Sequence, residues 1–187
     1  MFAFEPSNSN FKILNENIRI NKYSDMVVTI NKAVSNKEEQ VTLYLNDENH
    51  GMNRIFKSNA YTPKINHMER IETIRLDSFF DKVPSLKVDF VKLDIEGSEY
   101  GAIKGMQKIV DNNKKLTLMT EFHPASITEY GIEPRQFLEL LYSFGFNIWS
   151  LDKTTKNKKR IALSSKNEVD DLIKLADKQT TNLLCSR

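Results

Sequence analysis

Residues 88–99 read VDFVKLDIEGSE and join a run of apolar residues to an acidic turn that contains a glycine. The apolar run predicts a buried strand, and the turn leads into a helix that begins near residue 98. Asp94 is then expected at the carboxyl end of a strand, which is where open α/β sheets bind their ligands. The stretch therefore predicts a ligand site at one edge of a parallel sheet.

Two other predicted strands also end in acidic residues. Glu5 lies in FAFEP, residues 2–6, and Glu121 lies in TEFHP, residues 120–124, just ahead of His123. Three such strand ends in one chain indicate that these side chains gather at one site.

The hydrophobic pattern alternates between strands and helices. Strands are expected at 1–4, 26–34, 41–45, 71–76, 88–94, 116–121, 146–151, 160–163 and 182–186, with a turn at 36–38. Helices are expected from residue 9, as a short turn at 77–80, at 98–111, from Pro134 to Phe144, and at 167–176. The pattern predicts one α/β domain over 1–187, with a mostly parallel sheet and an antiparallel C-terminal hairpin.

Composition narrows the class of protein. The chain has 187 residues, 40% of them hydrophobic, and a net charge of only +2, so no nucleic-acid partner is expected. No apolar run reaches the ~20 residues that span a bilayer. The single cysteine, Cys185, lies in an apolar run and is expected to be a buried thiol in a reducing, cytoplasmic compartment.

Glu121 and His123 allow two interpretations. Residues two apart on a strand share a face, so they could form a general acid/base pair, since histidine titrates near neutral pH. Alternatively, His123 only forms a hydrogen bond to a loop. His50 and His67 lie in polar stretches and are expected to be solvated, and no ligand spacing predicts a metal site.

Several other segments also carry two interpretations. The stretch 46–66, which contains Phe56 and Tyr61, is a long loop or a lid over an acceptor. The lysine-rich turn at 152–160 is a solvated tip or a contact for phosphate or lipid. Glu96 and Glu99 suit the first turn of a helix, where acidic groups are favoured, or take a direct part in function.

A set of motifs, taken in order along the chain, resembles the FkbM family of S-adenosylmethionine-dependent methyltransferases. The resemblance covers nearly the whole chain. The set comprises FAFEP (2–6), Asn17 and Asn21, KAVSN (32–36), GMN (51–53), TIRLDSF (73–79), VKLDIEGSE (91–99), KG (104–105) and EFH (121–123).

The resemblance implies a Rossmann-like class I methyltransferase fold and transfer of a methyl group to a hydroxyl oxygen of a sugar, glycan or secondary metabolite. It also implies a cofactor site for S-adenosylmethionine. Glu5 would accept hydrogen bonds from the ribose diol, and Ala33 and Val34 would line the adenine. Asp94 would face the methionine and methyl portion.

The same resemblance places Glu121 and His123 beside the acceptor. Together with Asp94 they are the residues expected to carry the chemistry, with the proton of the acceptor hydroxyl as the group to be removed. The expected partner is a small-molecule or glycan acceptor.

The chain departs from the family before Glu5. None of its six glycines forms a glycine-rich strand-to-helix turn ahead of that residue, so the first βα unit is expected to be missing. We therefore expect this chain alone to bind the cofactor weakly or not at all.

Two alternatives to a methyltransferase stay open. One is a non-catalytic Rossmann-like fragment that acts as a partner subunit, since an unpaired strand invites pairing with another chain. The other is a nucleotide- or sugar-binding enzyme of a different α/β family. A homo-oligomer is compatible with each of these alternatives.

Overall fold

The computed structural model describes residues 1–58, 67–83, 86–151, 158–162, 164–178 and 181–187. The strands are β1 (Phe2–Phe4), β2 (Val28–Ile30), β3 (Ala33–Val34), β4 (Gln40–Tyr44), β5 (Met68–Ile74), β6 (Phe90–Leu93), β7 (Thr117–Phe122), β8 (Asn147–Leu151), β9 (Lys158–Ile161) and β10 (Thr181–Ser186). The helices are α1 (Asn8–Ile20), α2 (Leu76–Phe80), α3 (Glu99–Lys104), α4 (Gln107–Asn112), α5 (Pro124–Glu129), α6 (Pro134–Ser143) and α7 (Lys166–Lys178), with a 3-10 helix at His50–Met52.

The strands form three sheets. The largest has the order β6-β7-β10-β8-β9, β3 and β4 flank β5, and β1 pairs with β2. Three pairings are parallel: β1–β2, β3–β5 and β6–β7. The antiparallel pairings are β4–β5, β7–β10, β8–β10 and β8–β9. This mixture confirms the α/β class and the C-terminal hairpin. The parallel share is smaller than the sequence predicts because β10 inserts between β7 and β8.

The main core lies between the five-stranded sheet and its helices. The strand β7 alternates half-buried and buried positions, as a strand covered mainly on one face does. Its Phe122 packs against Phe137 of α6, with ring centroids 5.7 Å apart. Cys185 of β10 is fully buried in the same core and lies opposite Leu118 of β7. A smaller cluster forms around Leu43 and Ile71.

The helix expected at 98–111 is two helices, α3 and α4. At the break, Gly105 comes so close to Ser35 that an added Cβ would lie 2.3 Å from the Ser35 carbonyl oxygen. Asp77 of α2 forms hydrogen bonds with residues on both sides of the break. Its N–H donates to the Gly105 carbonyl at 2.9 Å, and its carboxylate accepts the Ile109 N–H at 3.1 Å.

The strand expected at 26–34 is also divided. It breaks at Asn31, whose side-chain amide donates to the carbonyls of Glu5 and Pro6 at 2.9 and 3.1 Å. The two pieces, β2 and β3, join different sheets. The turn expected at 36–38 does not join neighbouring strands, because β5 lies between β3 and β4.

The strands β1 and β2 form the least buried sheet, in which no residue is buried. Phe2 makes edge-to-face contacts with Phe79 and Phe80, with ring centroids 5.5 and 5.3 Å apart, and this aromatic contact ties the sheet to α2. Within the described ranges, β1 pairs only with β2 and β6 only with β7. No described helix has both the length and the apolar character that crossing a bilayer takes.

Candidate functional site

Glu5 lies directly after β1 and is half-buried. One of its carboxylate oxygens accepts the Ser7 N–H at 2.8 Å, at the start of α1. Burial raises the pKa of Glu5, the Ser7 N–H opposes that rise, and nearby Glu69 adds to it. The carboxylate is thus held in place at a strand end, and a carboxylate has further lone pairs for a second donor.

The acidic turn after β6 presents Asp94. This residue is exposed, and its carboxylate pairs with the Lys92 ammonium at 2.7 Å. The turn then passes through Glu96 and Gly97 with φ angles of 58° and 104°, both in the left-handed region. A non-glycine residue rarely adopts that region unless its surroundings hold it there.

Glu99 closes this turn from inside the protein. It is only 2% exposed, and its carboxylate accepts the Ile95 N–H at 2.9 Å. Burial raises the pKa of Glu99 to about 7, against the lowering effect of the Ile95 N–H. Glu99 is therefore a structural acid of the turn, and the sequence signal of a first-turn acid identifies its position.

Carboxylates from the ends of two adjacent parallel strands lie close together. Oxygens of Asp94, Glu96 and Glu121 come within 4.8 Å of one another. Such a cluster gives this edge a negative potential that favours a cationic or hydrogen-bond-donating ligand. Exposed carboxylates often meet without a metal ion, and no other feature of the described residues suggests one here.

His123 caps α5, a helix that the sequence reading missed although Pro124 marks its first turn. Its Nδ1 lies 2.6 Å from Ser126 Oγ. Burial lowers the pKa of His123, and Arg54 lowers it further, while Asp177 and Glu129 raise it. The ring is thus biased towards its neutral form, and its hydrogen-bond partner lies in the first turn of α5 and not in a loop.

Arg54 is the residue that sequence reasoning did not find. It is 4% exposed, and its guanidinium lies 3.4 Å from a carboxylate oxygen of Glu96 and 3.4 Å from one of Glu129. These partners are 42 and 75 residues away along the chain. No local pattern could have indicated the cluster.

Ala33 and Val34 lie in β3, 5% and 8% exposed. Ala33 packs with Leu43 and Ile71, and Val34 belongs to the main core. Each residue therefore offers only a small surface to a ligand.

The other expected loop contacts are described only in part. Phe56 packs against Tyr130, with ring centroids 5.4 Å apart, whereas Tyr61 lies outside the described residues. His67 is exposed and pairs with Asp47 at 2.9 Å, which raises its pKa. In the lysine-rich turn, residues 152–157 lie outside the described part.

A surface pocket of about 530 Å³ lies beside α5. Its lining combines charged with apolar side chains. It consists of Pro124, Ala125, Thr128, Glu133, Pro134, Arg135, Ile173 and Asp177. Asp177 also acts on the pKa of His123, so the pocket reaches the neighbourhood of that ring.

The fold is a Rossmann-like α/β domain in which the ends of β6 and β7 bring Asp94 and Glu121 together. Residues 1–148 match the family described as the methyltransferase FkbM domain. The chain belongs to this family, which confirms the resemblance seen in its motifs and favours a methyltransferase over a non-catalytic partner subunit.

The fold is similar to that of a solved structure, the crystal structure of methyltransferase FkbM from Methylobacillus flagellatus KT. The TM-score is 0.54 at 15% sequence identity, over 98% of this chain and 36% of that one. This chain therefore spans about a third of the length of that protein. No curated protein matches the chain.

Proposed function

We propose that this chain is an S-adenosylmethionine-dependent methyltransferase domain that acts on a hydroxyl oxygen of a sugar, glycan or secondary metabolite. The observation that carries the proposal is the meeting of Asp94 and Glu121 at the carboxyl ends of β6 and β7, in a chain of the FkbM family. Open α/β sheets bind ligands at this edge.

The residues fit the cofactor where its polar groups need acceptors. Glu5 is held at its strand end by the Ser7 N–H, and its carboxylate would accept hydrogen bonds from the ribose diol. Asp94 is exposed at the end of β6 and would face the methionine portion and the methyl group. Ala33 and Val34 would contribute the small surface that they expose to the adenine.

S-adenosylmethionine supplies a methyl group on a sulfonium, which is a good leaving group, so no covalent intermediate on the protein is needed. What remains for the protein is orientation and proton removal. Burial and Arg54 lower the pKa of His123 and so favour the neutral form that a base needs. In the helix cap, Nδ1 of His123 accepts the Ser126 N–H at 3.4 Å. The base role requires the other tautomer, in which that bond is lost and Nδ1–H donates to Ser126 Oγ, so that Nε2 accepts the proton of the acceptor hydroxyl.

Glu121 has a supporting role in this proposal. It lies on β7, two residues before His123 and on the same less buried side of the strand. Its carboxylate lies with those of Asp94 and Glu96 and would accept a hydrogen bond from the acceptor hydroxyl. The pocket beside α5 offers an acceptor both charged groups and apolar surface, which suits a polyhydroxylated ring.

Binding of S-adenosylhomocysteine, observed by saturation-transfer NMR, tests the cofactor site of this chain. We expect weak saturable binding that Asp94→Asn reduces by about tenfold, the usual cost of one charged hydrogen bond. The matched control is Asp81→Asn. Asp81 is also an exposed aspartate paired with a lysine, at 2.6 Å from Lys108, compared with 2.7 Å for Asp94 and Lys92.

Loss of the signal in Asp94→Asn with full binding in Asp81→Asn would support the proposal. Equal binding by the wild type and both variants would show that Asp94 does not contact the ligand. Absence of binding by the folded wild-type chain would contradict cofactor binding by this chain.

A further inference from the structure

Arg54 has a fixed backbone. Its N–H and carbonyl form a two-bond antiparallel bridge with Tyr44 at the end of β4, at 3.1 and 2.8 Å. The side chain then runs into the protein and is 4% exposed. A buried guanidinium is stable only when acceptors surround it, so its partners are fixed together with it.

The partners come from two different parts of the site. One is Glu96 in the left-handed turn after β6, and the other is Glu129 in the last position of α5, each 3.4 Å from the guanidinium. Ser58 adds a hydrogen bond to Glu129 at 2.6 Å. One arginine thus joins the turn that presents Asp94 to the helix that His123 caps.

Packing encloses the same turn. The Arg54 guanidinium lies 5.7 Å from the centre of the Phe56 ring. A Cβ added at Gly97 would lie 3.1 Å from Phe56 and 2.7 Å from the side chain of Ser126. The turn is therefore confined between the segment that carries Arg54 and the first turn of α5.

Holding this turn takes free energy. Glu96 has a positive φ of 58°, a backbone conformation that is unfavourable for a residue other than glycine. Its carboxylate also lies close to those of Asp94 and Glu121, which repel it. The positive charge of Arg54 offsets that repulsion.

We infer that Arg54 is a positioning residue of the proposed methyltransferase, which fixes Asp94 and His123 relative to each other by binding Glu96 and Glu129 at once. The role of Arg54 in catalysis rests on the proposed function. The structural part of the inference rests on the contacts that Arg54 makes with Glu96 and Glu129. Arg54 itself does not need to touch cofactor or acceptor.

A second effect of Arg54 acts on the titration of His123. The charged groups that act on His123 are Arg54 from the segment after β4, Asp177 from α7 and Glu129 from α5. Arg54 opposes the two carboxylates. Loss of its charge and loosening of the fold would each raise the pKa of His123, because burial and Arg54 both lower it. Arg54→Lys separates the two causes, since it keeps the charge.

The experiment compares Arg54→Met, Arg54→Lys and the control Arg19→Met without any ligand. Arg19 is exposed and pairs only with nearby Glu16 at 2.6 Å in the described contacts. Hydrogen exchange is followed at the amides of residues 95–98, and the titration of His123 by NMR. The signals of His50 and His67 are removed by substitution with glutamine.

We expect Arg54→Met to speed exchange at 95–98 by about tenfold, since hydrogen bonds between charged groups are lost, and to raise the pKa of His123. Arg54→Lys keeps the charge but loses the fork that reaches two carboxylates. It should therefore speed exchange and leave the titration of His123 close to that of the wild type. Arg19→Met should change neither.

Unchanged exchange and titration in Arg54→Met would overturn the inference. If Arg54→Met does not fold, hydrogen exchange at residues 95–98 is measured in Arg54→Lys and Glu96→Gln instead. Exchange at the wild-type rate in both of these variants would overturn the inference. The cofactor proposal fails separately, by lack of S-adenosylhomocysteine binding to the wild type. Where the wild type binds, a weaker affinity of Arg54→Lys than of Arg19→Met is expected, and equal affinities would refute positioning.

Discussion

Glu99 holds its carboxylate inside the protein with the Ile95 N–H as a donor. Burial raises its pKa from 4.5 to about 7, so the folded state binds a proton more tightly than the unfolded chain does. The stabilising effect of that proton is fully present below pH 4.5 and is lost as the pH rises through 7. Folding stability should therefore fall across this window, by about 3 kcal/mol for one such group.

Urea denaturation between pH 4 and pH 8 checks this expectation. Glu99→Gln keeps an oxygen that can accept the Ile95 N–H and has no proton to lose, so its unfolding free energy should lack this downward step. The control Glu16→Gln removes an exposed carboxylate paired with Arg19 and should keep the step. A wild-type stability that rises through pH 4.5 to 7 would contradict this account of Glu99.

Sequence reasoning reached those site residues that stand next to a local pattern. Asp94 and Glu5 follow apolar strands directly, so their positions at strand ends could be predicted. Arg54 could not, because a single arginine in a polar stretch carries no sign of carboxylates 42 and 75 residues away. The roles of the predicted site residues stay predictions, and their positions are now defined.

At the scale of elements, the turn between β6 and α3 depends on Gly97. Its φ of 104° suits glycine, and an added Cβ would lie 2.7 Å from the Ser126 side chain. Gly97→Ala should cost more than the ~1 kcal/mol of a left-handed alanine, because the clash adds to the strain. Urea unfolding measures the difference.

Gly131 supplies the matched control. Its φ is 93°, and nothing lies within 4 Å of an added Cβ, so Gly131→Ala isolates the cost of the backbone conformation. Equal losses in the two variants would contradict the close packing of this turn against α5.

The helix α6, which carries both a start and a stop signal, was predicted well. Pro134 opens α6 and Gly145, with φ 78°, follows its end, and both signals are readable in the sequence. The break between α3 and α4 was not predictable, because it comes from the approach of Gly105 to Ser35 and from the hydrogen bonds of Asp77. Those contacts exist only after the chain has folded.

Across the whole molecule, the sheets differ in how well they are covered. The strands β7 and β10 lie inside the five-stranded sheet and have fully buried side chains, whereas β1 and β2 have no buried residue. Local stability follows buried apolar contact. We expect the amides of β1 and β2 to exchange with solvent much faster than those of β7 and β10, as hydrogen-exchange mass spectrometry of the intact chain can measure.

Similar protection in both sheets would mean that the chain opens only as one unit. The difference matters for the proposed cofactor site, because Glu5 lies at the end of β1 and Asp94 at the end of β6. The alternation of strands and helices predicted the class of fold at this scale. It could not predict how the strands divide into sheets, because pairing partners are chosen by tertiary contacts.

The positions of two unique side chains affect what simple probes can report. The single tryptophan, Trp149, lies in β8, and the single cysteine, Cys185, lies in β10, where burial raises the thiol pKa to about 12. Tryptophan fluorescence and thiol labelling therefore both report on the same five-stranded sheet. A melting curve recorded by either probe would miss local opening at Glu5, so the half of the proposed cofactor site on β1 needs a reporter of its own.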